Sequence, residues 1–113
     1  MKLVAFVALV AALAVPSALA ATPTLTGTVG PGFTITLKKG TAKVSKLKAG
    51  KYIFKISDKS SIHNFHLKGP GVNKMTSVGK TGASTWTLTL KKGKYTFVCD
   101  PHATIMKGSF TVS

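Results

Sequence analysis

The feature that most constrains the fold of this chain is an alternation of inward-facing and polar residues that recurs in short segments after residue 20. Because side chains alternate between the two faces of a β-strand, each segment predicts a strand with one buried face. The inward-facing positions of the clear segments are Phe33-Ile35-Leu37, Tyr52-Phe54-Ile56, His63-Phe65-Leu67, Trp86-Leu88-Leu90, Tyr95-Phe97-Cys99 and Phe110-Val112. Weaker segments cover Leu25 to Val29 and Ala42 to Val44, with glycine-containing turns between the segments. The pattern predicts an all-β domain folded as an antiparallel β-sandwich.

Residues 1–20 have the features of a signal peptide. They contain one lysine, an apolar run from Leu3 to Val15 and the small-residue pattern Ala18-Leu19-Ala20. The apolar run is too short to cross a bilayer as a helix. We therefore predict cleavage after Ala20 and export of one domain, residues 21–113, to the periplasm or the cell exterior, with no membrane-spanning segment left.

The charge of the predicted domain is strongly positive. Every basic residue of the chain is a lysine, and the acidic residues are Asp58 and Asp100 alone. From residue 21 onward, fifteen lysines and two aspartates give a formal charge of +13. Such a charge attracts anionic partners, although it could equally serve only to keep the domain soluble. Without arginine there is no bidentate grip on phosphate or guanine, so we do not expect a nucleic-acid partner.

Cys99 is the only cysteine, and two further soft-metal ligands follow it closely. His102 stands three positions after Cys99, Met106 stands four after His102, and Pro101 stiffens the loop. A lone exported thiol is prone to oxidation unless it is buried or bound to a metal. A thiolate, imidazoles and a thioether form the donor set of electron-transfer copper sites. Met106 could instead be packed in the core.

Strand parity separates the two other histidines. His63 shares the inward face of its segment with Phe65 and Leu67, whereas Asn64 and His66 point to the opposite face. We therefore predict that His63 is the remote metal ligand. His66 is predicted to be a surface residue or a neighbour of the ligands.

The arrangement of these residues resembles the cupredoxins, the small blue-copper proteins of the plastocyanin and azurin type. The resemblance rests on His63-Asn64, on the Tyr-x-Phe-x-Cys-x-Pro-His pattern that ends at His102, and on the Met and Gly that follow. It covers residues 25–113 and implies a Greek-key β-sandwich of seven or eight strands.

The resemblance also implies a copper site and its ligands. His63, Cys99 and His102 are expected to bind one type 1 copper ion in a plane, with Met106 as the axial ligand. Asn64 is expected to tie the two ligand-bearing loops together by hydrogen bonds. The three residues between His102 and Met106 are fewer than plastocyanin-like loops carry at that point.

The function implied is that of a monomeric one-electron carrier between redox partner proteins, possible partners being proteins with acidic docking surfaces. We expect no enzymatic activity, because the sequence has no carboxylate pair, phosphate-binding glycine loop or nucleophile set. Three alternatives stay open: copper delivery without redox cycling, a zinc or other structural metal site, and an interaction module with a buried cysteine.

Smaller expectations concern the surroundings of the site. An apolar docking patch around His102 is predicted to consist of Ala103, Ile105, Pro70 and Val72, with lysines beyond it. Asp58 is predicted to cap a turn, and Met75 to lie in a loop.

Overall fold

The computed structural model describes residues 21–113, and the predicted signal peptide lies outside them. The described residues form ten strands and one short 3₁₀ turn, Asp100–His102. The strands are β1 (Thr24–Val29), β2 (Ile35–Lys39), β3 (Ala42–Lys43), β4 (Lys46–Leu47), β5 (Gly50–Asp58), β6 (His66–Gly69), β7 (Val72–Met75), β8 (Gly82–Leu90), β9 (Gly93–Val98) and β10 (Lys107–Val112). Among these residues, no helix has the length and hydropathy needed to span a membrane.

The strands form two five-stranded sheets that pack into a sandwich, so the predicted all-β fold is confirmed. One sheet has the order β3-β2-β1-β5-β8 and the other the order β4-β10-β9-β6-β7. Most strand pairs are antiparallel, as predicted, but the sheets are mixed, because β1 pairs with β5 and β10 pairs with β4 in parallel. In both cases the two paired strands are far apart in the sequence, which leaves room for the crossover that parallel pairing requires. The count exceeds the predicted seven or eight because β7 and the two-residue strand β4 were not predicted.

Aromatic rings fill the space between the sheets. The rings of Phe65 and Phe97 stack with centroids 5.5 Å apart, and those of Tyr95 and Phe110 with centroids 5.2 Å apart. The ring of Tyr95 also packs directly against the backbone of Gly69. A side chain would not fit there, since a Cβ on Gly69 would lie 2.1 Å from the ring. Burial of this apolar surface is the main source of stability in a domain of this size.

Two predicted strands begin later in the structure than in the sequence pattern. Phe33 precedes β2, because the Gly30 amide donates to the Thr34 carbonyl and closes a turn around it. His63 belongs to the loop before β6, where its amide bonds to the carbonyl of Ser60 at 3.4 Å. Met75, predicted in a loop, ends β7 instead.

The sandwich has two ends, called the Cys99 end and the distal end. The Cys99 end consists of the loops 30–34, 59–65, 76–81 and 99–106. The distal end consists of the loops 48–49, 70–71 and 91–92. The strand registers place them apart, since Val29 pairs with Asp58 at the first end and Gly50 with Leu90 at the second.

Candidate metal centre

The loop after β9 is a closed turn that holds its side chains in fixed positions. Cys99 is extended, with φ −92° and ψ 116°, and the 3₁₀ turn follows it. The His102 amide donates to the Cys99 carbonyl at 3.0 Å, and the Cys99 amide donates to the Met106 carbonyl at 3.0 Å. Pro101 lies exposed within the turn, where a missing N–H costs no hydrogen bond.

Three predicted ligands converge although they come from two separate loops. The Nδ1 atoms of His63 and His102 are 3.1 Å apart. The Cys99 Sγ lies 3.7 Å from the first of these nitrogens and 3.6 Å from the second. Transition-metal bonds are about 2.0 Å to imidazole nitrogen and about 2.3 Å to thiolate sulfur, so one ion can reach all three donors. The donor set of one thiolate and two imidazoles fits copper.

The four ligand candidates differ in how far each side chain is exposed to solvent. Cys99 and Met106 are fully buried, His63 is 1% exposed, and His102 is only partly buried. The backbone of Met106 is tied into the site loop, because its amide donates to the His102 carbonyl at 2.8 Å. His102 is therefore the ligand candidate through which the site meets solvent.

Asn64 connects the two loops, as the resemblance implied. Its backbone amide lies 3.4 Å from the Cys99 Sγ and donates to it. Its side-chain oxygen accepts from the Asp100 amide at 2.7 Å, and its Nδ2 donates to the Asp100 carboxylate at 2.7 Å and to the Thr76 carbonyl at 3.3 Å. These hydrogen bonds fix the position of the Cys99 sulfur relative to the loop that carries His63.

His66 is buried, so the prediction of a surface position is wrong. The alternative prediction, that His66 neighbours the ligands, is the one that agrees with its contact to Asp100. His66 is 5% exposed, with its Nδ1 2.8 Å from Asp100 Oδ1 and its Nε2 2.5 Å from Asn73 Oδ1. Parity does not separate exposed from buried positions here, because residues 63 to 67 are all buried and both faces of this segment are covered.

The pKa of Asp100 reflects this bonding. Burial alone would raise the pKa of the carboxyl, but the hydrogen bonds from Asn64 and His66 and the charges of His66 and Lys68 hold it below its ordinary value. Asp100 is therefore ionised at neutral pH and accepts from both side chains at once.

Phe33 belongs to the site, although the sequence pattern predicted it in a strand. Its ring meets the ring of His102 edge-on at a centroid distance of 5.0 Å and the ring of His63 at 5.5 Å. The turn before it brings it there, since Gly30 has φ 73° and lies against His63. A Cβ at Gly30 would be 3.2 Å from the His63 ring, so a larger residue would crowd the ligand.

Asp58 caps a turn, which confirms the prediction. Its Oδ1 accepts from the Ser60 amide at 3.0 Å, while its Oδ2 is buried without a hydrogen-bond partner among residues 21–113. Burial raises the pKa of this carboxyl, and the Ser60 hydrogen bond and the charge of His63 oppose the rise without cancelling it.

The predicted docking patch is partly wrong. Ile105 is 64% exposed beside the site, but Pro70 and Val72 belong to the distal end, where Pro70 lies against Gly93 at the start of β9. Five residues of strand, about 17 Å, separate that position from Val98. The large apolar side chains that are exposed in residues 21–113 all lie at the Cys99 end: Phe33, Ile62, Met75, Val78 and Ile105.

A β-sandwich that presents a thiolate and two imidazoles to one point at its end defines the class of small copper proteins. A family model, the Cupredoxin-like domain, matches residues 3–112. The chain therefore belongs to the cupredoxin-like family, whose members are typically electron carriers that pass electrons to partner proteins, and its site is of the type 1 copper kind.

Solved structures share the fold. Reduced rusticyanin is 20% identical, with a TM-score of 0.61 over 80% of this chain and 78% of that one. Rusticyanin from Thiobacillus ferrooxidans is 22% identical, with a TM-score of 0.56 over 80% and 76% of the two chains. Auracyanin A, a blue copper protein from Chloroflexus aurantiacus, is 17% identical, with a TM-score of 0.51 over 80% and 98%. No curated protein sequence matches the chain.

Proposed function

We propose that this protein is an exported type 1 copper protein that carries single electrons between redox partner proteins in the periplasm or outside the cell. The observation that carries the proposal is the convergence of His63 Nδ1, Cys99 Sγ and His102 Nδ1, which all lie within 4.8 Å of one another. We assign these three residues as the ligands and Met106 as the axial ligand. Copper bound there would supply a one-electron couple between Cu(I) and Cu(II).

The residues around the site keep the donors in place whether the electron is present or absent. The hydrogen bonds of Asn64 to Cys99, Asp100 and Thr76 join the 59–65, 76–81 and 99–106 loops. Donors that cannot move limit the rearrangement that accompanies each transfer. The buried thiolate is also kept from oxidants and from other thiols.

The partly exposed ring of His102 is the exit for the electron. Phe33 and Ile105 flank it with exposed apolar surface, which suits brief contact with a partner. Lys59, Lys80 and Lys107 are at the same end and favour partners with acidic docking surfaces. We propose that the protein acts as a monomer and is not an enzyme.

A copper titration tests the proposal. The domain, residues 21–113, should bind one equivalent of Cu(II), with an intense visible thiolate-to-copper band and narrow hyperfine splitting in the paramagnetic-resonance spectrum. Cys99→Ser and His63→Gln should abolish the band, whereas His66→Gln should retain it. A colourless protein that prefers zinc, or a Cys99→Ser variant with unchanged copper content, would refute the assignment.

Redox cycling separates electron transfer from delivery. Repeated reduction and oxidation should leave the copper bound and the spectrum restored. Loss of the metal on reduction would favour the copper-delivery function instead.

A further inference from the structure

The lysines are distributed unequally between the two ends of the sandwich. The distal end and the strand termini that lead into it carry six exposed lysines: Lys46, Lys48, Lys51, Lys91, Lys92 and Lys94. We call this set the lysine end. It lies opposite the candidate metal centre, so these charges do not form the rim of the copper site that the sequence suggested.

Strand register brings most of these lysines together. Lys46 and Lys94 both pair with Thr111, so they flank β10 at the same level and on the same outward face. Strands about 4.8 Å apart place their backbones about 10 Å from one another. Lys48 and Lys51 lie on either side of Gly50, which pairs with Leu90 immediately before Lys91 and Lys92. The 48–49 loop, the start of β5 and the 91–92 loop, which carry these four charges, are therefore adjacent.

Nothing in the described residues compensates these charges with an acidic side chain. Asp58 and Asp100, the two acidic residues of the chain, both lie at the Cys99 end. The large exposed apolar residues of the part that the structure describes lie there as well. The lysine end is thus rich in cations, without an acidic side chain and without a large exposed aromatic or aliphatic anchor.

The separation between the ends decides what these charges can influence. The nine residues of β5 span about 30 Å between the two ends. The Debye length is about 8 Å at physiological ionic strength, so a partner at His102 is screened from the lysine end. Any partner that these charges attract therefore contacts the lysine end itself.

We propose that the lysine end is a docking surface for a bilayer that contains anionic phospholipids, with the copper site facing away from the membrane. Protein interfaces are depleted of lysine and enriched in aromatic residues, methionine and arginine, none of which is exposed at this end of residues 21–113. A flat surface of headgroup phosphates needs only clustered cations, and each lysine near it adds to the attraction.

The entry of the chain into the sandwich supports the same orientation. Thr24 pairs with Ile53, and β1 runs from there towards the Cys99 end, so the residues before Thr24 lead towards the lysine end. If the predicted cleavage occurs, the new amino group at Ala21 adds a cation to this end.

Vesicle binding by residues 21–113 tests the proposal, and it does so without copper. Sedimentation with vesicles of phosphatidylcholine alone is compared with vesicles in which about a third of the lipid is phosphatidylglycerol. We expect binding to the anionic vesicles only, weakened by added salt. The fourfold variant K48Q/K51Q/K91Q/K92Q should bind at least about tenfold more weakly.

A second fourfold variant is the matched control, because it removes the same charge elsewhere. K55Q/K59Q/K74Q/K80Q should lower the affinity by less than about threefold. An equal loss of vesicle affinity in the two fourfold variants would show that binding depends on net charge alone, and it would overturn the proposal. So would failure to bind anionic vesicles, including the case in which the protein binds polyphosphate or an acidic protein instead.

Discussion

The Nδ1 atom of His66 lies 2.8 Å from the Oδ1 atom of Asp100, the residue that follows the candidate ligand Cys99. Because a carboxylate only accepts hydrogen bonds, the ring donates, and Asp100 in turn holds the side chain of Asn64. His66 is thus joined to the metal loop through one intermediate residue, without being a ligand candidate itself.

Replacing His66 tests this connection. His66→Phe removes the bonds to Asp100 and Asn73 while keeping a ring of similar shape, so we expect metal-free stability to fall by about 1 to 2 kcal/mol. The measurement is urea unfolding. Asn73→Ala removes only one of the two bonds and should cost less. Loss of copper stoichiometry in His66→Phe would contradict the assigned ligand set, from which His66 is absent.

The unfolding free energy of the metal-free protein should depend on pH in the acidic range, because Asp100 titrates there. Its pKa is lower in the folded protein than the ordinary 3.8, so its stabilising effect is complete above that value. The effect is lost as the pH falls below 3.8 and through the folded pKa. Urea unfolding between about pH 6 and roughly pH 2 should show the loss, and Asp100→Asn should flatten this part of the profile. An unchanged slope in the variant would assign the acid sensitivity to other groups.

Met106 should tune the copper rather than retain it. Met106→Leu conserves volume, so we expect the fold and the copper stoichiometry to survive. Removal of an axial thioether withdraws a donor that stabilises Cu(II), so the reduction potential should rise. Met75→Leu, a change at an exposed methionine of the same end, is the control. Equal potentials in all three proteins would assign Met106 to core packing, the alternative that the sequence left open.

Phe33 should control access to the ligand rings. Phe33→Ala removes the edge contacts to His63 and His102, so small ionic oxidants should reach the reduced copper site faster. The change in stability should stay within about 1 kcal/mol, because the ring is 57% exposed. Stopped-flow oxidation of the copper protein is the measurement. Ile62→Ala removes an exposed side chain nearby and should leave the rate unchanged; equal acceleration would mean that Phe33 has no special role.

Gly69 should be intolerant of any side chain. Gly69→Ala would place a methyl group 2.1 Å from the ring of Tyr95, whose hydroxyl is fixed by bonds to Lys91 and Pro70. We expect a loss of roughly 2 kcal/mol or more in unfolding free energy. Gly79→Ala meets nothing within 4 Å and should be nearly neutral. Similar losses in the two variants would mean that Tyr95 moves aside.

The strand faces and the ligand candidates of the 99–106 loop were predictable because each depends on a local pattern. Alternation gives the faces of Tyr95, Phe97 and Cys99 directly, since one strand and the residue after it carry all three. Cys99, His102 and Met106 are close in the sequence and stay close in the structure, because the backbone hydrogen bonds of one turn join all three.

What the sequence could not give depends on pairing between distant segments. The parallel pairing of β1 with β5 follows from the route of the chain between them, and alternation is the same in either direction. Phe33 reaches His102 only because the 30–34 loop folds over the end of the sandwich. The alternation that assigned His66 to the outer face assumed a strand from residue 63. In the structure the strand begins only at His66, and residues 63 to 67 are all buried.

The C-terminal segment 99–113 contributes Cys99, His102 and Met106, and it also supplies β10, the strand that pairs with both β9 and β4. A chain released before this segment is synthesised would carry His63 alone and would leave β9 and β4 unpaired along the edges that β10 covers. Copper uptake therefore reports that segment 99–113 has been made and has paired with β4 and β9. Copies without this segment could neither capture the ion nor compete for it with copies that have it.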